Sequence, residues 1–402
     1  MRIRMFAALA AAGLAAVAPL AAQSGSPPSS VTTPSLPVII GERTTFRSAI
    51  LGAEYPLVIY RPGGYERSAE RYPLLILLDG DGHFHHASGV VDFLVANQRI
   101  PPMIVVGVGN RNRTRDLTPP TADPQMRNQT GGADRFLRFL GDELIPYLDR
   151  TNRTLDYRVL VGHSFGGLFA LHALTTRPEI FDGYIAISPS TWWNQQALVN
   201  DLPEFLAKHR ELRASLYMTT GNEGGEMLTS AQRIAEILKH DAPPTMQWEF
   251  HHMPDETHGS IPHRSLYDGL ETMFADLRIE LDTTMRTVAD LERRYETLSA
   301  KYGYTIPVTE PMINRLGYIL LGRGLHGEAI AVFRVNTERY PQSANTFDSL
   351  GDGYEAAGDL QNARTSFARA VELARKNNDP VLDASAEKLT SVTSKLGASV
   401  GQ

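Results

Sequence analysis

The sequence predicts an α/β protein with a doubly wound, mostly parallel sheet over residues 38–282, followed by a small all-α domain over residues 283–402. Three observations predict this organisation. Short apolar runs alternate with helical patterns in the first region, a serine lies in a glycine turn between a strand and a helix, and long polar helices replace this pattern after about Asp282. A length of 402 residues also exceeds one ordinary domain, so two folded units are expected.

Composition and charge exclude several classes of protein. Hydrophobic residues make up 42% of the chain and charged residues 21%, as in a globular protein and not a disordered one. The net charge is -6 and the basic residues are scattered, so nothing indicates binding of nucleic acid. The chain has no cysteine, which excludes disulfides, a cysteine-based metal site and a cysteine nucleophile.

The first 22 residues have the pattern of a secretory signal peptide. Two arginines near the start precede an alanine-rich apolar run, and cleavage is expected after Ala22, with Ala18 as a competing site. The run is too short and too rich in alanine to predict a membrane span. Residues 23–37, rich in Ser, Pro and Thr, are predicted to be a flexible leader. We therefore expect a soluble, exported protein, either periplasmic in a bacterium or secreted.

Two continuous apolar runs, residues 74–78 and 103–108, predict strands that are buried on both faces of a sheet. A helix is predicted over residues 133–149. The remaining extended segments are predicted at residues 44–51, 55–60, 157–161, 183–188, 215–220 and 245–252.

The motif GHSFGG at residues 162–167 joins the apolar strand 157–161 to a helical pattern over residues 168–174. Glycines permit a tight turn here and a close approach of the helix to the strand. Such a turn directs the Ser164 hydroxyl outward at the positive end of the helix and leaves the Phe165 amide able to donate a hydrogen bond. The pattern predicts a catalytic nucleophile, although GxSxG also occurs by chance.

A nucleophilic serine needs a general base, and His258 is the favoured residue. It lies in PDETHGS at residues 254–260, immediately beyond the last predicted strand, where a loop can bring its imidazole to Ser164. His252 and His263 are the alternatives.

The acid that orients this histidine is expected after the strand 215–220, in the segment GNEGGE. Glu223 is nearest to the end of the strand and is the favoured residue, with Glu226 as the alternative. A carboxylate there would accept the Nδ1 proton of His258 and stabilise the imidazolium that forms during catalysis.

An oxyanion hole needs a second backbone amide beside that of Phe165. The predicted loop after the third strand reads DGDGHF at residues 79–84, and Gly80 or Asp81 could supply this donor. The histidines within residues 83–86 also suggest a metal site, but no second ligand cluster and no known zinc spacing accompany them. We therefore expect neither a metal nor a cofactor.

Five side chains are candidates for contacts with substrate: Trp192, Trp193, Arg113, Arg115 and His83. The tryptophans follow the strand next to the nucleophile strand and could line an aromatic or acyl-binding wall, with core packing as the alternative. The arginines follow the strand 103–108 and could recognise an anionic group. For the second arginine, an internal ion pair with Asp116 is the alternative.

The C-terminal region repeats itself with a period of 34 residues. The matching pairs are Leu316 and Leu350, Gly317 and Gly351, Ala329 and Ala363, and Phe333 and Phe367. The pattern resembles the tetratricopeptide repeat, in which small residues let two antiparallel helices touch. Two repeats are few for a solenoid, so we expect them to pack against a helix over residues 287–302 and against the first domain. Such a domain could bind a protein or peptide partner, or only stabilise or dimerise the chain.

Over about residues 40–280, the chain resembles the esterase D-like esterases, and within them the esterases that cleave trilactone siderophores such as enterobactin. The matching segments are YP at 72–73, LLDGD with HF within 77–84, RTRDLTP at 113–119, GHSFGG at 162–167, SPS with WW within 188–193, and HGS at 258–260. The resemblance implies an α/β-hydrolase fold, a Ser164 and His258 pair, and ester hydrolysis without a cofactor. A tetratricopeptide tail is similar to that of a recurring bacterial subgroup of these esterases.

The sequence thus predicts a serine carboxylic ester hydrolase that acts through an acyl-enzyme on a small-molecule ester, with a siderophore-like lactone as one candidate. An acyltransferase on the same fold is one alternative. A peptide-binding repeat protein with a non-catalytic hydrolase scaffold is another.

Overall fold

The computed structural model describes residues 37–67, 69–126 and 128–400. The predicted signal peptide, and all but the last residue of the predicted leader, lie outside the described residues. The sheet and the helices that follow it belong to one compact unit that begins at Ile40.

A sheet of eight strands lies at the centre of this unit, in the spatial order β1-β2-β4-β3-β5-β6-β7-β8. The strands are β1 Glu42–Ser48, β2 Ala53–Tyr60, β3 Tyr72–Leu77, β4 Ile104–Val108, β5 Thr154–His163, β6 Gly183–Ile187, β7 Ser215–Thr220 and β8 Gln247–His252. The β1–β2 and β2–β4 pairs are antiparallel and the other pairs are parallel. The predicted doubly wound, mostly parallel sheet is confirmed.

Both faces of the sheet are covered, because alternate residues of a strand point to opposite sides. In β3, Leu74 and Ile76 contribute to one apolar core, and Leu75 and Leu77 contribute to another. The helices of this region are α1 Gly80–Ala96, α2 Arg113–Leu117, α3 Ala133–Arg138, α4 Ile145–Thr151, α5 Phe165–Thr176, α6 Trp193–Lys208, α7 Gly225–Asp241 and α8 Ile261–Met273. A π-helical segment, Phe139–Leu144, joins α3 to α4, and 3-10 turns occur at Tyr65–Arg67 and Ala275–Leu277.

The C-terminal region is helical, as predicted. Its helices are α9 Val288–Tyr302, α10 Glu310–Gly322, α11 His326–Arg339, α12 Ala344–Ala356, α13 Leu360–Asn377 and α14 Leu382–Val400. The repeated small and large residues lie in contact. A Cβ on Gly317 would lie 2.3 Å from the ring of Phe333, and one on Gly351 would lie 2.4 Å from the ring of Phe367. These contacts explain the repeated glycines, while the tetratricopeptide assignment and the boundary at residue 282 stay predictions.

An aromatic cluster joins the helical region to the sheet. The rings of Tyr157, in β5, and Tyr302, in α9, have centroids 5.6 Å apart, and Phe274 lies 5.6 Å from the first and 5.9 Å from the second. The Tyr302 hydroxyl also donates to the carbonyl of Met273 at 3.0 Å. Sheet and helices therefore share one apolar core. Within the described ranges, every helix is too short or too polar to cross a membrane.

Candidate active site

The turn after β5 holds Ser164 in a strained conformation, with φ 61° and ψ −116°. A residue with a Cβ rarely adopts a positive φ, so the surroundings must hold it there. The Ser164 amide donates to the carbonyl of Ile187 at 2.9 Å. A Cβ on Gly162 would lie 2.1 Å from the carbonyl oxygen of Gly166, and one on Gly167 would lie 2.9 Å from that of Ile187. The glycines of the motif therefore permit the close approach of α5 to β5 and β6.

A histidine and a carboxylate meet at the ends of two neighbouring strands. Glu223 follows β7 and His258 follows β8, and Nδ1 of His258 donates to Oε1 of Glu223 at 3.0 Å. The Glu223 side chain is 10% exposed and also accepts a hydrogen bond from the Ser188 hydroxyl at 2.5 Å. Glu226, the alternative acid, lies exposed in the first turn of α7. The hydrogen bond to Glu223 leaves Nε2 of His258 as the basic nitrogen.

His258 also lies beside the end of β5. Its ring centroid is 4.4 Å from that of His163, the residue before Ser164. The Oγ of Ser164 lies 3.4 Å from the Oγ of Ser190, and no hydrogen bond links it to His258 in the described part of the chain. Hydrogen bonds between catalytic groups are often long or absent before substrate binds. The structure thus brings Glu223, His258 and the Ser164 turn together, but the hydrogen bond between Ser164 and His258 is not formed.

The two alternative bases lie elsewhere. His252 is exposed at the end of β8. The ring of His263, near the start of α8, packs against that of His86 with centroids 5.6 Å apart.

Residues 80–84, predicted as part of a loop, are instead the start of a helix. Asp79 has left-handed backbone angles of φ 54° and ψ 39°, and α1 begins directly after it. The amides of Gly82 and His83 donate to the carbonyl of Asp79 at 2.9 and 3.1 Å. The first amides of a helix have no partner within the helix, so those of Gly80 and Asp81 point out of its N-terminus.

The starts of α1 and α5 lie side by side. A Cβ on Gly80 would be 2.5 Å from the carbonyl carbon of Gly107, so α1 begins directly against β4. A Cβ on Gly166 would be 3.4 Å from Oδ2 of Asp79, which places the first turn of α5 next to that of α1. The amide of Phe165 and those that begin α1 therefore belong to neighbouring helix N-termini, where a negative charge is stabilised.

Both candidate arginines bind buried carboxylates of the protein. Arg113 binds Asp79 through two hydrogen bonds, of 2.7 Å from Nε and 2.9 Å from Nη2. Arg115 pairs with Asp116, which also accepts a hydrogen bond from the hydroxyl of Tyr55 at 2.6 Å. For Arg115, this internal ion pair with Asp116 is the alternative to substrate binding that the sequence left open. Asp79 is not among the predicted site residues, although its place directly after an apolar strand in DGDG was an available signal.

The two tryptophans differ in burial. Trp193 is 6% exposed, and its Nε1 donates to the carbonyl of Pro119 at 3.0 Å, so it packs in the core. Both rings lie near that of Phe165, at 5.6 Å for Trp193 and 6.1 Å for Trp192, but Trp192 is only half-buried. Trp192 is therefore the better placed of the two to form a wall of the site.

His83, the last predicted substrate contact, lies in a row of imidazoles. Its Nδ1 is 3.0 Å from Nε2 of His86, and its ring centroid is 5.7 Å from that of His163. Burial lowers the pKa of His163 to about 3 and that of His86 to about 4, and it also lowers the pKa of His83. These side chains are therefore neutral at neutral pH. Among the described residues, no group of three or more His, Cys, Asp or Glu could hold a metal ion.

The chain is similar to known esterases. The model of the family described as "Putative esterase" matches residues 48–259. The siderophore triacetylfusarinine C esterase of Aspergillus fumigatus is 37% identical over 146 residues, which are 33% of this chain and 49% of that protein. The siderophore enterobactin esterase of Emericella nidulans is 37% identical over 158 residues, which are 33% of this chain and 52% of that protein. The chain thus spans about half the length of these relatives.

A similar solved structure is that of an IroE-like serine hydrolase from Shewanella oneidensis. It is 29% identical, with a TM-score of 0.65, and the match covers 74% of this chain and 99% of that one. The central sheet, with helices on both faces, has the α/β-hydrolase fold that the sequence resemblance implied.

Proposed function

The chain belongs to this esterase family, and we propose that it is a serine carboxylic ester hydrolase. One observation carries the proposal. Ser164 lies on a strained turn at the same edge of the sheet as the hydrogen-bonded His258 and Glu223, and at the N-terminus of α5. Ser164, Glu223 and His258 follow one another in the chain in the order serine, carboxylate and histidine, which is typical of α/β-hydrolases.

Acylation begins when Nε2 of His258 accepts the proton of the Ser164 hydroxyl. The Ser164 oxygen then attacks the carbonyl carbon of the ester, and the carbonyl electron pair moves onto oxygen. The amides of Phe165 and of Gly80 or Asp81 donate to this oxyanion. The ionised carboxylate of Glu223 stabilises the imidazolium of His258.

The tetrahedral intermediate collapses when His258 returns its proton to the leaving alcohol and the bond between the carbonyl carbon and the alcohol oxygen breaks. An acyl group is then attached to Ser164. Water enters, gives a proton to His258 and attacks the acyl carbon. The bond between the acyl carbon and the Ser164 oxygen then breaks as His258 returns its proton to that oxygen. This step releases the acid and restores the Ser164 hydroxyl, so no cofactor takes part.

The substrate is a small-molecule ester, with a trilactone siderophore as the favoured class. The relatives named as siderophore esterases support this class. Within the site, the aromatic pair of Trp192 and Phe165 is suited to contact an aryl group. Export to the periplasm or the exterior, proposed from the first 22 residues, would expose the enzyme to such compounds.

Replacement of the nucleophile tests the reaction. Ser164→Ala should lower the kcat for p-nitrophenyl acetate by more than about 10³-fold, with an unchanged circular dichroism spectrum. Ser190→Ala is the matched control, since its hydroxyl oxygen lies 3.4 Å from that of Ser164, and it should keep kcat within about 10-fold. Hydrolysis by Ser164→Ala at the wild-type rate would refute the proposed reaction.

The substrate class needs a separate measurement. We expect the purified protein to hydrolyse iron-loaded or iron-free trilactones with a higher kcat/KM than aryl esters of graded acyl length. Hydrolysis of aryl esters alone would refute the lactone assignment and leave the esterase assignment standing.

A further inference from the structure

Arg113, at the start of α2, bridges two elements that come from distant parts of the chain. Its Nε donates to Oδ1 of Asp79 at 2.7 Å, and its Nη2 donates to Oδ2 of the same carboxylate at 2.9 Å. Nη2 also donates to the carbonyl of His163 at 3.1 Å. The guanidinium carbon lies 5.8 Å from the centre of the Phe165 ring, which adds a cation–π contact.

The residues that Arg113 contacts lie next to the proposed oxyanion donors, or, in the case of Phe165, carry one. Asp79 comes directly before the first amides of α1, and His163 and Phe165 flank Ser164. One planar guanidinium thus spans the gap between the two helix N-termini. An arginine suits this position because its donors lie in a fixed plane and can serve two acceptors at once.

Both turns need such support. Asp79 and Ser164 have positive φ angles of 54° and 61°, which cost free energy in residues that carry a Cβ. The Asp79 side chain makes no capping bond to α1 and is instead held by Arg113 and by the Asn110 side-chain amide at 2.5 Å. Oxyanion donors act only when they lie about 2.7–3.1 Å from the developing charge, so a small shift between the turns would weaken catalysis.

We propose that Arg113 is a positioning residue that holds the two halves of the oxyanion hole at their working distance. The inference rests on the proposed esterase function and deepens it. It also gives Arg113 a different role from the one that the sequence suggested, the recognition of an anionic substrate.

The chain offers a matched control in Arg115. It lies in the same short helix, and it also pairs with a buried aspartate, Asp116, whose side chain is 4% exposed. Asp116 and Tyr55 carry neither of the proposed donors. Arg113→Gln and Arg115→Gln therefore remove similar ion pairs at different distances from the reaction.

The experiment compares two classes of inhibitor in both variants. An arylboronic acid forms a tetrahedral anion on the serine, whereas the carboxamide analogue of the ester binds as a ground state. Arg113→Gln should lower kcat for an uncharged ester and weaken boronate binding by about 10²–10³-fold, with KM and carboxamide binding within about 3-fold. Arg115→Gln should keep all four quantities within about 3-fold of the wild type.

Three outcomes with Arg113→Gln and Arg115→Gln would overturn the inference. Equal loss of boronate and carboxamide binding in Arg113→Gln, or a raised KM confined to anionic esters, would make Arg113 a substrate contact. Equal loss of kcat in both variants would make it a structural residue. If Arg113→Gln does not fold, Arg113→Lys replaces it, since lysine keeps the charge beside Asp79 but lacks the planar fork.

Arg113→Lys should fold and lose about 10-fold or more in kcat and in boronate affinity. Wild-type kcat in Arg113→Lys would also contradict the inference. The wild-type and Ser164→Ala rates are measured in the same assay, so failure of the positioning role is distinct from failure of the esterase assignment.

Discussion

The buried carboxylate of Glu223 is placed to stabilise a positive charge on His258. Its Oε1 accepts hydrogen bonds from His258 and Ser188, while its Oε2 is buried without a hydrogen-bond partner in the described part of the chain. A carboxylate with few partners in a poorly solvated position interacts strongly with a nearby cation. In the proposed reaction, the imidazolium of His258 is that cation.

Removal of this charge should slow the reaction without disturbing the fold. Glu223→Gln keeps the size of the side chain but no longer stabilises the imidazolium, and we expect kcat to fall by about 10²–10⁴-fold. Steady-state hydrolysis of p-nitrophenyl acetate measures it. Glu226→Gln, three residues away and exposed, is the matched control and should retain wild-type kcat. The opposite ranking of the two variants would transfer the role to Glu226.

His86 should make the protein sensitive to acid. Burial, with smaller effects of His83, His263 and His85, lowers its pKa from an ordinary value of 6.5 to about 4. Between these values the unfolded chain takes up a proton that the folded protein does not bind. The free energy of unfolding therefore falls as the pH falls from about 6.5 to about 4, and this effect is absent above that range.

The test of this effect is urea unfolding of His86→Asn at pH 7 and pH 4.5. The variant should lose less stability between these pH values than the wild type, since the buried imidazole is gone. His240→Asn, at an exposed position of α7, should behave as the wild type. An equal loss in His86→Asn and the wild type would show that this imidazole does not contribute.

The start of α1 is where local sequence preference and tertiary structure disagree most. The segment DGDG favours a loop, because glycine and aspartate are poor helix formers, and no pattern in residues 79–84 reveals that a helix begins there. The strands and the Ser164 turn could be predicted, since apolar runs and glycines carry that information locally. The pairing of Asp79 with Arg113 could not be predicted, because it joins residues 34 positions apart that only the sheet brings together.

Two glycines of α1 should respond differently to substitution. A Cβ on Gly80 would meet the backbone of Gly107 at 2.5 Å, so Gly80→Ala must displace the helix start. We expect a loss of about 1–3 kcal/mol of stability and at least about 10-fold in kcat. Thermal unfolding and ester hydrolysis measure the two effects.

Gly82→Ala is the control for this substitution. Its Cβ would meet nothing within 4 Å, so the variant should be as stable as the wild type or more stable, because alanine favours a helix. Equal effects of the two substitutions would mean that the contact between α1 and β4 does not position the amides.

The helical region and the sheet should unfold together as one unit. Tyr302 is 8% exposed, and it connects α9 to the sheet through the ring of Tyr157 and the carbonyl of Met273. The helical character of this region could be predicted from its pattern, but this contact could not, since isolated aromatic residues in a helix do not specify what they pack against.

Tyr302→Ala should lower the free energy of unfolding by about 3–5 kcal/mol. The three tryptophans all precede residue 283, so their fluorescence reports on the sheet, whereas circular dichroism at 222 nm also reports on the C-terminal helices. Both signals should shift to the same lower midpoint. A shift of the circular dichroism transition alone would mean that the two regions unfold independently.

Covalent labelling with a fluorophosphonate examines the nucleophile itself. The reagent phosphonylates only a serine that a neighbouring base activates. We expect one label per chain, on the peptide that contains Ser164, and loss of ester hydrolysis in proportion to labelling. A label on a different residue, or undiminished hydrolysis after complete labelling of Ser164, would contradict the proposed reaction.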